Sequence, residues 1–210
     1  MLLLTGAALA GSLDIVVEQT INVPPATVMA TISDFETWKE WTAWNQVVFP
    51  ECQWTYEGEK GTVGHAVTWE GPKCDTGYMG ATSVTESSFG YDLRFGKSED
   101  NWPSTLTVTE SEGVSVVSWS MSGELGFFMS LFSGAMSKAI AADYTVGLAG
   151  LKAKLESELM EAAVEQATEV VEDASEAAEA AADEAADEGK GSKAERSNDN
   201  RMENETATDE

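Results

Sequence analysis

His65 is the only histidine in the sequence, which makes it the first residue to consider for chemistry. Val63, His65, Val67 and Trp69 occupy alternate positions, so in a strand all four share one face. If that face lines a cavity, an imidazole there titrates near neutral pH and suits general acid or base work. Tyr91 is the second proton-transfer candidate. The plainer reading of His65 is a hydrogen-bonded or edge-exposed ring. It is the preferred one, because no acid stands at a spacing that fixes it as partner. No residue is therefore assigned as catalytic. Arg94 would suit a ligand carboxylate, although its alternation with Leu93 and Phe95 points it outward. One histidine and two separated cysteines do not make a zinc site, and neither metal nor cofactor is expected. Cys52 and Cys74 lack redox spacing and read as two reduced thiols. The sequence has no nucleophile elbow, phosphate-binding glycine loop or zinc-protease helix, and Gly61 to Gly64 reads as a turn.

A second set of residues suits binding rather than catalysis. Trp54, Trp69, Tyr91, Phe95 and Trp119 offer large contact areas for a sterol, polyketide or acyl chain. The expected lining adds His65, Val67, Leu93 and Met121 from the strands, and Phe128, Phe132 and Met136 from a following helix. These residues would equally make an ordinary core. Trp38, Trp41 and Trp44 stand within seven residues of one another. They would gate a pocket or, as preferred here, pack a helix pair onto a sheet.

The elements that must position these groups follow from periodicity. Ile15 to Val23 alternates apolar and polar, as in a strand with one buried face. Pro24-Pro25 ends it and opens a helix with Val28, Met29 and Ile32 on its apolar stripe. Ser33 and Glu36 have capping-box spacing and predict a second short helix carrying Phe35, Trp38 and Trp41. Six strands follow: 46–56, one around 63–69, 78–86, 89–95, 104–110 and 114–121, with connections short enough for antiparallel neighbours. From Phe127 to Leu155 apolar residues recur at three- and four-residue steps, which predicts a long amphipathic helix weakened by Gly134, Gly147 and Gly150. Seven strands and these helices describe an α+β domain.

Charge divides the chain. Residues 156–210 hold 19 acids and 4 bases, and no aromatic follows Tyr144. Such a segment has too little apolar surface to offset its ordering entropy. One domain is expected at 14–157, then an acidic Ala/Glu-rich tail at 158–210, helical to about residue 188 and disordered beyond. The net charge of −25 disfavours nucleic acid and anionic membranes. Residues 1–13 are apolar but shorter than the ~20 residues of a membrane span. They read as a shortened export signal, the end of a membrane anchor, or a frayed terminus. The first two together favour a periplasmic or membrane-associated protein over a cytoplasmic one.

Three stretches carry a family resemblance. VEQTINVPPATVMATISDFETWKEWTAW, GTVGHAVTWEG and AADYTVGLAGLKAKLE resemble the opening, third element and closing helix of the SRPBCC superfamily. That superfamily includes START domains, the birch-pollen allergen fold and polyketide cyclases. The resemblance spans residues 14–157. It implies the helix-grip fold, in which a curved seven-stranded antiparallel sheet grips the last helix around a cavity. The leading functional expectation is a binder or carrier of a small hydrophobic molecule. One rival is a cyclase or dehydratase using His65 and Tyr91. Another is an interaction module resembling the activator domain of a heat-shock co-chaperone.

Overall fold

The computed structural model describes residues 11–205 except Gln46, Lys97, Glu99 and residues 126–129, with side chains described within 12–179. Strand β1 (Gly11–Ile21) is followed by α1 (Pro25–Ile32) and α2 (Phe35–Trp41). Six strands then form a meander: β2 (Gln53–Glu57), β3 (Ala66–Gly71), β4 (Asp75–Val84), β5 (Ser88–Phe95), β6 (Trp102–Ser111) and β7 (Val114–Leu125). The long helix α3 (Ser133–Glu205) closes the order. The sheet runs β1-β7-β6-β5-β4-β3-β2, with every neighbouring pair antiparallel. This is the α+β helix-grip arrangement.

Alternation decides what the sheet buries. Leu13, Ile15, Ile21, Met79, Ala81, Phe89, Tyr91, Leu93, Leu106, Val108, Val117, Trp119 and Met121 all turn inward and are buried. Phe35, Trp38 and Trp41 of α2 face them, and Tyr144, Leu148, Leu151 and Leu155 form the buried stripe of α3. Two glycines let α3 sit low. A methyl at Gly147 would stand 2.9 Å from the Trp119 ring, and one at Gly150 would overlap the Trp41 carbonyl. Polar contacts fasten the same helix. Lys152 Nζ donates to Thr20 O at 2.9 Å, the Asn22 N–H donates to Glu156 at 2.8 Å, and Lys154 pairs with Glu40 at 2.7 Å.

Several boundaries differ from the sequence reading. β2 begins at Gln53 rather than near residue 46, because the Asn45 carboxamide accepts the Val47 and Val48 N–H groups, both at 3.0 Å, and turns the chain. β1 starts at Gly11, so Leu13 belongs to the core rather than to a leader. Asp34, not Ser33, caps α2 by accepting the Glu36 N–H at 2.9 Å. β7 extends to Leu125 opposite Gly11, and α3 begins only at Ser133. The helix continues to Glu205, past Gly189 where the sequence reading ends it. Among the described residues, those up to Leu159 form one compact unit and those from Met160 a second.

Candidate functional site: an aromatic cleft

The register of β2 to β5 brings large rings together at one end of the sheet. Trp54 stands opposite Trp69 across β2 and β3, and Trp69 stands opposite Gly77 of β4. With no side chain at Gly77, the Trp69 indole lies over that position, where a methyl would overlap the ring. Trp69 also meets Phe95 edge-on, with ring centroids 6.4 Å apart. From the other side come Trp38 and Thr42 of α2 and its C-cap, then Trp44 and Phe49 of the following loop. Met79 and Leu93 supply the floor, and Lys73, Cys74 and Asp75 the rim. Together these residues enclose a partly open cleft of about 230 Å³.

A disulfide holds the rim. Cys52 and Cys74 are bonded, with their Cα atoms 6.0 Å apart. This corrects the reading of two reduced thiols. The physical reason is the tight β2–β3–β4 meander, which folds the segment before β2 back over Gly71. A methyl at Gly71 would stand 3.0 Å from both the Cys74 sulfur and the Glu51 carbonyl oxygen, so glycine lets the two segments cross closely where any other residue would push them apart by a few tenths of an ångström.

His65 lies outside the cleft and is buried. It precedes β3 rather than standing within it, and Val63 is 63 % exposed, so the four-residue face predicted for that strand does not form. Nε2 accepts the Phe35 N–H at 3.1 Å, and Nδ1 lies 3.1 Å from the Glu57 carbonyl oxygen, to which it donates. The ring stacks on Phe35, with centroids 5.2 Å apart. Both nitrogens are therefore engaged by backbone, and the imidazole pins the start of α2. Tyr91 is also buried, and its hydroxyl accepts the Trp119 indole N–H at 3.0 Å. Burial first, then the neighbouring Tyr144, pushes its phenol well above the usual range. Tyr144 shares a hydrogen bond of 3.2 Å with Ser104 and is raised in the same direction, mainly by burial. Tyr56 is pushed up to about 12 by burial and by the carboxylates of Glu36, Asp34 and Glu40.

Of the other expected lining residues, Trp54, Trp69, Leu93 and Phe95 border the cleft. Val67, Trp119 and Met121 lie in the packed core, and Met136 packs half-buried against it. Phe132 is 65 % exposed, and Phe128 lies outside the described residues. Arg94 stacks over the Tyr78 ring at 4.0 Å. Among the described residues no cluster of three or more His, Cys, Asp or Glu is placed to hold a metal. Sequence reasoning missed Met79, Thr42, Phe49 and the 73–75 rim as lining. Alternation with Ala81 signals that Met79 turns inward, whereas Phe49 sits in a loop without periodicity.

Sheet, gripping helix and cleft define a helix-grip protein of the SRPBCC superfamily. The chain belongs to the family described as polyketide cyclase / dehydrase and lipid transport, whose model matches residues 12–156. Solved structures agree on the fold. The chain is similar to SA2116 of Staphylococcus aureus, a protein of unknown function, with a TM-score of 0.57 and 9% identity over 72% of this chain and 98% of that one. It is similar to Ara h 8.0201, with a TM-score of 0.54 and 13% identity over 70% of this chain and 99% of that one. It is also similar to CV1439 of Chromobacterium violaceum, with a TM-score of 0.50 and 13% identity over 69% of this chain and 97% of that one. Among curated proteins none matches the sequence significantly.

Proposed function

We propose that this protein binds a small hydrophobic molecule in the aromatic cleft between α2 and the β2–β5 end of the sheet. The observation that carries this reading is the space of about 230 Å³ walled by Trp38, Trp44, Phe49, Trp54, Trp69 and Phe95. Apolar concavities with few polar groups are the usual form of small-molecule sites. The rival enzyme reading needs proton-transfer groups facing the ligand. Its two candidates, His65 and Tyr91, are engaged elsewhere and do not line the cleft. The interaction-module reading rests on the resemblance to a co-chaperone activator domain, with the acidic tail as the contact.

The disulfide favours an oxidising compartment and so an exported or membrane-held chain. Residues 1–10, on which a signal or anchor depends, lie outside the described residues. Among the described residues no helix is long and apolar enough to cross a membrane.

The test is mass spectrometry of small molecules that co-purify with the native chain and with Trp69→Leu. The expected result is an apolar compound retained by the native protein and depleted at least tenfold in the variant. A compound retained equally by a folded Trp69→Leu protein would place the ligand elsewhere and defeat the proposal.

A further inference from the structure

Resting on that reading of the cleft, we infer that its ligand is a neutral, planar aromatic of one or two fused rings, not a sterol or a full-length acyl chain. Size is the first argument. A dry cavity of about 150 Å³ takes one benzene ring. On the same scale, about 230 Å³ encloses roughly nine or ten non-hydrogen atoms between the walls of this partly open cleft, the bulk of a fused bicycle. A sterol is about three times that size.

The second argument is that the cleft cannot lengthen inward. In a helix-grip fold the space for a long ligand lies between the sheet and the last helix, and here side chains occupy it. Behind Trp38 stands Trp119, edge-to-face at 5.5 Å. Trp119 lies flat on Tyr144 of α3, with centroids 3.9 Å apart and planes 7° from parallel. Trp38 also meets Tyr91 edge-on at 5.2 Å. Gly147 and Gly150 hold α3 down on this column, at the Trp119 ring and the Trp41 backbone. Opening a passage would need α3 to rise and several fully buried rings to leave their contacts.

Shape and charge narrow the class further. Four indoles and two phenyl rings line the cleft, and aromatic pairs gain beyond simple area burial. Lys73, the only cation among the described lining residues, has Glu51 at 3.8 Å and shares the rim with Asp75. A chain of net charge −25 also repels anions. Among the described residues, a fatty-acid carboxylate therefore finds at the rim only Lys73, already beside Glu51.

The experiment is an NMR titration of the full chain, following the indole N–H signals of Trp54 and Trp69. The probes are naphthalene, its saturated counterpart decalin, palmitate and cholesterol. Naphthalene is expected to shift both signals and to bind at least tenfold more tightly than decalin. Palmitate and cholesterol are expected to leave both signals in place. Palmitate or cholesterol binding as tightly as naphthalene would overturn the size limit while leaving the proposed function standing. Equal affinity for decalin would overturn the aromatic preference alone. If no probe moves either signal, the inference fails, and the proposed function is then judged by the co-purification test. As a second arm, Trp38→Leu removes the inner wall. A folded variant, recognised by a single cooperative urea transition, is expected to gain palmitate binding of tenfold or more. No gain would show that Trp38 is not what shortens the site.

Discussion

Gly134 and Gly150 both lie in α3, yet alanine is expected to act on them with opposite sign. In a helix interior, alanine in place of glycine ordinarily adds about 0.5–1 kcal/mol. At Gly134, in the first turn of α3, a methyl would meet nothing within 4 Å, so only part of that gain, up to about 0.5 kcal/mol, should appear. At Gly150 the methyl would overlap the Trp41 carbonyl oxygen and stand 3.1 Å from its carbonyl carbon and 3.3 Å from its Cα. These are backbone atoms and cannot rotate aside. The helix must retreat, which loosens the Trp119–Tyr144 stack, and overpacking of this kind costs about 1–3 kcal/mol. Set against the interior propensity gain, Gly150→Ala should lose about 1 kcal/mol, leaving the two variants roughly 1–2 kcal/mol apart. Urea denaturation followed by tryptophan fluorescence measures the difference. A Gly150→Ala protein stabilised as much as Gly134→Ala would refute the seating of α3 on Trp41, and with it the closed interior invoked for ligand size.

Reducing the disulfide should destabilise the fold by about 3 kcal/mol, since it closes a loop of sequence separation 22. Urea unfolding with and without a reductant gives the number, and identical curves would mean that the folded protein holds free thiols. Alkali should act through the tyrosines. Tyr56, Tyr91 and Tyr144 all have folded-state values raised above the ordinary 10.0. Their contribution is therefore fully present below pH 10 and is lost as pH rises through the folded values, about 12 for Tyr56. Phenolate absorbance should develop late, together with unfolding. Ionisation of Tyr56, Tyr91 and Tyr144 near pH 10 in a protein that stays folded would contradict their burial.

Much of the fold was legible because burial on one face imposes a period. The alternation of Ile15 to Ile21, and of Val117, Trp119 and Met121, points to two core strands without reference to anything distant. Elements set by local hydrogen bonding were harder to read. Asn45 turns an apolar run, Val47-Val48-Phe49, into a loop in which Val47 is 90 % exposed. Periodicity alone made that run a strand. The site was less legible than the fold. Trp54 and Trp119 look alike in sequence, each an aromatic on an alternating strand. One lines a cleft and the other fills the core, because α3 covers the β7 side of the sheet and leaves the β2–β5 end open. The disulfide was hidden for a related reason: its two cysteines meet where two segments unrelated in periodicity cross closely beside Gly71.

The pairing of β1 with β7 also orders events in time. Gly11 sits opposite Leu125 and Ile21 opposite Ser115, so this one ladder joins residues about a hundred positions apart. Every other ladder links strands that follow one another directly in the chain. At synthesis rates of about 5–20 residues per second, β7 leaves the ribosome some 5–20 s after β1. In that interval β2 to β6 can zip up hairpin by hairpin, while Leu13, Ile15 and Ile21 have no strand to join. Loop closure over such a span is entropically slow even after release. The nascent chain therefore carries an unpaired apolar strand near its front for about half of its synthesis, and closure of the β1 edge must wait for β7.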